Sequence, residues 1–234
     1  MSGTPAPELK IPRHIAVIAD GNGRWAEMRG LSRSQGHLAG ARALSRLLRA
    51  CRKLGIGTLT GWFFSTENWA RPKAEVDYIM FLAHRFLKSQ KSKFIKNKVR
   101  FRLLGGRDRL PEAFVKDVDA IERETAHFDD FCFNCCFNYG GRADLLQAVE
   151  RLVADNAPIT AAELERRLYT GDQPPPDLII RTSGEQRLSG FMLWQAEYAE
   201  LYFPKFHFPD FNEARLRECV EEYSRRDRRF GKVK

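Results

Sequence analysis

The chain has 234 residues, 43% hydrophobic and 29% charged, with a formal net charge of +9. That is enough apolar material for a full core and ordinary for a globular protein, and it argues against a disordered or fibrous chain. No apolar run is long enough to span a bilayer, and polar, Pro-containing residues 1–10 read as a loose tail rather than a signal peptide, so a cytoplasmic protein is expected.

In chain order, Ile15–Ala19 is short and β-branched and predicts a buried strand. A Gly-rich loop follows. Apolar residues then recur at helical spacing from His37 to Leu54, and Gly55 ends that helix. Thr58–Phe64 predicts a second strand, and Glu75–Leu87 a helix with Val76, Ile79, Met80, Ala83 and Phe86 on one side. Val99–Leu104 predicts a third strand, and Pro111 opens another helix. Cys132–Phe137, Asp177–Arg181 and Ala199–Phe203 complete the strands. Arg142–Ala154 and Glu213–Tyr223 complete the helices. This alternation predicts a single α/β domain over 1–234, with a mostly parallel central sheet flanked by helices and residues 1–11 as a loose tail. Ligands of such sheets bind at the carboxyl ends of strands, which puts Asp20, Ser65, Asn138 and Arg181 near one rim.

Five cysteines, an odd number, read as free thiols. Cys132 and Cys135 lie in an apolar strand without a second ligand pair, so a zinc site is not expected. The charge is uneven: Lys88–Leu104 holds seven Lys/Arg and no acid, and the last ten residues hold six against one acid. An anionic partner follows. Nucleic acid is not expected, because no recognised motif or aromatic interleaving accompanies the charge.

The loop Asp20-Gly21-Asn22-Gly23-Arg24-Trp25-Ala26 imitates a dinucleotide fingerprint, but Arg24 and Trp25 are bulky where a cofactor must approach closely. It fits better as a phosphate cradle of backbone N–H groups, with Asp20 holding a hard divalent cation; an Asp that merely caps the next helix is the plain alternative. Arg24, Arg33, Arg71, Arg181 and Arg187 lie in or beside strand-end loops, and guanidinium forks read diphosphates. The greasy face of the Glu75–Leu87 helix would suit a hydrocarbon tail, or be plain core.

These residues carry a resemblance. The blocks are HIAVIADGNGRWA from His14, Gly36-His37, FSTENW from Phe64 with Arg71-Pro72, NYGGR from Asn138, IRTSGEQRLS from Ile180, Leu193-Trp194-Gln195, YAELYF from Tyr198, and RRFG from Arg228. In this order, nearly end to end, the chain resembles the cis-prenyltransferases of the undecaprenyl diphosphate synthase family. The resemblance implies a hydrophobic tunnel, a homodimer and condensation of isopentenyl diphosphate with an allylic prenyl diphosphate. It implies Mg²⁺ on Asp20 and Glu200, with Gln186 standing where some bacterial members have a metal-contacting His. The allylic diphosphate would lie on Gly21, Asn22, Gly23, Arg24, Trp25 and Arg33, and isopentenyl diphosphate on Arg181, Arg187, Leu188 and Ser189. Thr66, Glu67, Trp69 and Arg71 would also bind substrate. Asn68, with His37 and Ser65, matches the proton-handling group; an amide is a poor base, so Asn68 reads as an orienting or relay residue. Arg229 and Gly231 match a motif that reaches across the dimer, and peripheral membrane contact would follow from the product.

Long-chain members carry a small residue at the position of Phe63. A ring there, with Phe131, Phe133 and Phe137 nearby, predicts a farnesyl- to geranylgeranyl-sized product. An undecaprenyl-length product and an irregular head-to-middle coupling of the lavandulyl type are the alternatives; intact Asn22 and Asn68 favour regular elongation.

Overall fold

The computed structural model describes residues 9–171 and 173–229. The strands are β1 (His14–Ile18), β2 (Thr58–Ser65), β3 (Val99–Leu104), β4 (Phe131–Tyr139), β5 (Leu178–Arg181) and β6 (Glu200–Tyr202). The helices are α1 (Asn22–Glu27), α2 (Arg33–Lys53), α3 (Lys73–Lys96), α4 (Glu112–Thr125), α5 (Gly141–Ala154), α6 (Ala161–Arg167) and α7 (Glu213–Ser224). Single 3₁₀ turns follow β2 (Thr66–Ala70) and precede α7 (Phe208–Asp210).

The six strands form one sheet in the order β3-β4-β2-β1-β5-β6, with every neighbouring pair parallel. Helices cover both faces of a parallel sheet, so its central strands read as unbroken apolar runs. β1 and β5 are buried at every residue. The larger core cluster packs α2, α3, α4 and α7 on one face. A smaller one sets Trp62, Leu104 and Tyr139 against Phe191 and Met192 on the other.

All six expected strands form, and two helices appear that no periodicity announced. α1 is six residues long and begins inside the Gly-rich loop. α6 buries none of its residues, so it has no apolar stripe to read; Thr160 caps it by accepting the Glu163 N–H. α3 runs nine residues beyond Leu87, because Gln90 and Phe94 continue its buried side among the lysines. The expected loose tail ends sooner than residue 11. Leu9 packs on the core, and the Lys10 N–H donates to Ser224 Oγ at 2.9 Å; residues 1–8 lie outside the described ones. All five cysteines are free, with Cys132 and Cys135 only partly buried.

One irregularity bears on the site. Along β2 and β4 the register runs Trp62 to Cys136, then Phe64 to Phe137, then Ser65 to Tyr139. Phe63 is therefore an extra residue on β2 and Asn138 an extra residue on β4. Such bulges turn side chains off the strict alternation of a strand.

Candidate active site

β1, β2 and β5 end together. Ile18 pairs with Arg181 and with Trp62, so Asp20, Ser65 and Arg181 emerge at one rim. Gly21 then takes φ 96°, a left-handed conformation that starts α1. A Cβ at Gly21 would lie 2.5 Å from His207 Nδ1 and closer still to Ser183 Oγ. The loop is tied from behind. Thr182 Oγ1 accepts the Asp20 N–H at 3.0 Å and donates to the Asp20 carbonyl at 2.7 Å. Ser183 Oγ donates to the same carbonyl at 3.0 Å.

Asp20 stands between two guanidinium groups. Arg24 donates to Oδ1 at 3.0 Å, and Arg181 to Oδ2 through Nε and Nη2 at 3.2 and 2.9 Å. Burial alone would raise the Asp20 pKa; Arg181 and then Arg24, by hydrogen bond and charge, outweigh it and hold the carboxyl below its usual value. Arg181 also donates to the Arg187 carbonyl at 2.7 Å and to Ser189 Oγ at 2.8 Å, and its side chain is 8% exposed. Arg24 bridges on to Glu185 at 2.7 Å.

A second carboxylate organises the other wall. Glu75 accepts from Arg33 Nε at 3.3 Å and from Arg71 at 3.1 Å, and lies 3.2 Å from His37 Nε2. Burial lowers the His37 pKa, and the bond to Glu75 only partly offsets it, so the imidazole is neutral near pH 7. Glu75 and Glu185 were not among the expected site residues. The i,i+4 spacing of Arg71 and Glu75 was the available signal for the first.

Asp20, His37 and the arginines bonded to Asp20 and Glu75 line an open cleft of about 420 Å³. It gathers Asp20, Gly21, Asn22, Gly23, Arg24, Arg33, His37, Ser65, Glu67, Asn68, Arg71, Arg181 and Ser189. Asn68 closes the turn after β2: its Oδ1 accepts the Ser65 N–H at 3.2 Å, and Ser65 Oγ accepts the Asn68 N–H in return. The amide NH₂ is left to donate into the cleft.

Five expected contacts do not line the cleft. Trp25 donates its indole N–H to Asp210 at 2.7 Å. Trp69 donates to Asn138 at 2.7 Å and packs edge-on against Phe64, which makes it a brace behind the turn. Thr66 bonds Glu67. Leu188 packs on the smaller core cluster, and Arg187 pairs with Glu185 at 2.6 Å. Asn138 shares the rim but bonds the Gly106 carbonyl at 2.9 Å.

Within one chain Glu200 lies apart from Asp20. It pairs with Leu178, the first residue of β5, whereas Arg181 ends that strand beside Asp20. Three strand residues, about 10 Å, already separate the two levels, and Glu200 bonds Arg226 at 3.1 Å. Asp20 and Glu200 of one chain therefore do not form a shared ion site. Among the described residues no cluster of three His, Cys, Asp or Glu could hold a metal. An ionised Asp20 beside a phosphate-sized cleft still fits Mg²⁺, which characteristically takes one or two carboxylates and fills its shell with substrate phosphate and water.

Beside the cleft lies a second, apolar cavity of about 100 Å³ between α2, α3 and the sheet. Ala19, Asn22, His37 and Phe63 line both, and Phe86, Phe101, Phe114, Phe137 and Phe208 close the far part. Asn22 Oδ1 is buried at this junction without a hydrogen-bond partner.

A parallel sheet with a cationic cleft beside an apolar cavity defines a class of site suited to a ligand with an anionic head and an apolar tail. Known proteins narrow the class. The family model described as "Putative undecaprenyl diphosphate synthase" matches residues 18–231. An isoprenyl transferase of Fusobacterium nucleatum is 45% identical over 228 residues, covering 97% of this chain and 99% of that protein. One from Thermotoga maritima is 45% identical, covering 95% and 98%. Lavandulyl diphosphate synthase from Lavandula x intermedia, solved with dimethylallyl diphosphate, superposes with a TM-score of 0.89 at 35% identity, covering 94% of this chain and 98% of that one. The chain belongs to the undecaprenyl diphosphate synthase family of prenyltransferases.

Proposed function

We propose that this chain condenses isopentenyl diphosphate with an allylic prenyl diphosphate to give a short, cis-linked product of farnesyl to geranylgeranyl size. The observation that carries the reading is that the cationic cleft and the apolar cavity lie side by side and share Ala19, Asn22, His37 and Phe63. A diphosphate head and a hydrocarbon tail on one molecule need that adjacency.

In this reading Arg24, Arg33 and Arg71 bind the allylic diphosphate. Arg181 and Ser189 bind isopentenyl diphosphate, with Arg187 turning in from Glu185. Mg²⁺ held by Asp20 would supply Lewis-acid neutralisation of the leaving diphosphate. The terminal alkene carbon of isopentenyl diphosphate attacks the allylic C1. The C1–O bond breaks, the diphosphate leaves with the bonding pair, and a proton passes from C2 to an oxygen of the departing diphosphate, which sets the new double bond. Fixed guanidinium groups around the cleft stabilise the charge that develops on the leaving oxygens. Asn68 donates from its NH₂, so it orients a phosphate oxygen rather than taking the proton itself.

The ring-walled cavity supports the short product. Rings at Phe63, Phe86, Phe101, Phe114, Phe137 and Phe208 line it, and ring volume there takes room from a tail. The enzyme acts in the cytoplasm and delivers its product to a membrane surface; no described helix is long and apolar enough to cross one. It works as a homodimer, for which the exposed Leu146, Val149 and Val153 on α5 and nearby Leu193 and Trp194 offer an apolar face. Gly231 of the expected dimer-crossing motif lies outside the described residues.

The likeness to lavandulyl diphosphate synthase favours one other reading, the irregular coupling of two allylic diphosphates. Mass spectrometry of products from dimethylallyl, geranyl and farnesyl diphosphates, with and without isopentenyl diphosphate, separates the cases. Regular elongation gives product only when isopentenyl diphosphate is present, in steps of five carbons. Product from dimethylallyl diphosphate alone establishes irregular coupling, and undecaprenyl-length chains overturn the size assignment.

A further inference from the structure

Phe63 and Phe64 both pack on the larger core, while Trp62 packs on the smaller core across the sheet. Strict alternation would send Phe63 and Phe64 to opposite faces. Alternation already gives Phe63 the side of Leu59, and the bulge brings Phe64 to that same side, the side of the apolar cavity. Two residues before Phe63, and on that side, is Gly61. A Cβ at Gly61 would lie 2.6 Å from Phe63 Cε2 and closer still to Cζ. The ring therefore lies folded back along its own strand, in the volume that a side chain at 61 would occupy.

Its remaining neighbours leave little slack. Phe133 and Phe208 stand 6.3 and 6.2 Å away between ring centroids, and they are 0% and 1% exposed. Such packing resists added volume. The open space beside the ring is the cavity and its mouth, both of which Phe63 lines.

We infer that Gly61 is a specificity-determining residue: its missing side chain is the seat that holds the Phe63 ring out of the tail cavity and so sets how long a tail fits. This rests on the transferase reading above. A side chain at 61 evicts the ring, and the ring has the cavity to move into. Product length then depends on residues 61 and 63 together.

The experiment compares wild type, Gly61→Ala, Phe63→Ala and Gly61→Ala/Phe63→Ala, with product lengths read by mass spectrometry at matched total incorporation of isopentenyl diphosphate. Gly61→Ala is expected to shorten the main product by at least one five-carbon unit. In the Phe63→Ala background the same change is expected to leave length unaltered, because there is no ring to move. An unchanged product from Gly61→Ala, or equal shortening in both backgrounds, overturns the seat. Should Gly61→Ala not fold, Phe63→Leu and Gly61→Ala/Phe63→Leu make the comparison with a side chain small enough to give way. The double variant is then expected to make the shorter product, and equal lengths overturn the inference. A wild-type chain that incorporates no isopentenyl diphosphate ends the transferase reading itself, which is a separate outcome.

Discussion

Asp20→Asn tests the electrostatic centre of the cleft. The substitution keeps the shape of the side chain and removes the charge that faces Arg24 and Arg181. One of the two oxygens becomes an NH₂, so either Arg24 or Arg181 loses its acceptor there, and Arg181 keeps the Arg187 carbonyl and Ser189. Removing one partner of a fully buried pair costs about 3–5 kcal/mol. Arg181 is 8% exposed but Asp20 is 24% exposed and Arg24 42%, so water screens part of this, and about 2 kcal/mol is expected. For a chain of this length that lowers Tm by about 4–8 °C. Inorganic diphosphate brings its own negative charge to the same guanidinium groups. It is expected to recover the loss, because a ligand at a hundred times its Kd adds about 2.7 kcal/mol. The carboxyl sits below its usual range, so its contribution is present above about pH 4 and fades as pH falls through the folded value. Thermal melts of both proteins at pH 7, with and without diphosphate, make the measurement, and kcat/KM is expected to fall at least a hundredfold alongside. A variant as stable as wild type, or one that diphosphate does not stabilise, refutes the reasoning.

Three further outcomes follow from other parts of the structure. His14 is buried with Nδ1 2.8 Å from the Pro174 carbonyl and Nε2 2.8 Å from Thr60, and burial pushes its pKa down to about 4. The unfolded chain therefore binds the extra proton between about pH 6.5 and 4. Stability falls as pH drops through that window, by about 3 kcal/mol, and His14→Gln is expected to flatten this part of the melt-versus-pH curve. Glu75→Gln releases Arg33, Arg71 and His37 from their common acceptor. KM for the allylic diphosphate is expected to rise about tenfold, some 1.4 kcal/mol, with a smaller change in kcat; an unchanged KM removes Glu75 from the site. Phe63→Ala is expected to lengthen the product by one or more five-carbon units, and mass spectrometry of the products checks it.

The strands were legible because a parallel sheet buried on both faces writes itself as short, mostly apolar runs between polar turn residues. The first loop was legible because Asp20, Gly21 and Arg24 combine residue types that phosphate chemistry requires. α6 was hidden because nothing on it is buried. The resemblance implies Glu200 as a second metal contact, and within one chain the register of β5 with β6 sets it on the far level of the sheet from Asp20. Motif order does not carry that information. Trp25 and Trp69 sit inside signature blocks, yet both spend their indole N–H groups on buttressing bonds. Membership of a block therefore identified the neighbourhood and left open which side chains face it.

The two ends of the site differ in how they can be read, and the reason is physical. At the diphosphate end an acid, a glycine with positive φ and paired guanidinium groups are each hard to replace, so identity carries the information. At the tail end any hydrophobe of the right size packs, and what matters is where its volume falls. The Phe63 ring shows this. Its identity announces bulk, but Gly61 receives it, so the room left for a tail depends on two residues together. Substitutions at the charged end should therefore change rate while leaving the distribution of product lengths in place. Substitutions around Phe63 should redistribute lengths at comparable incorporation. Were Asp20 or Glu75 variants to change product length as strongly as Phe63 variants, the separation of head and tail functions along this cleft would fail.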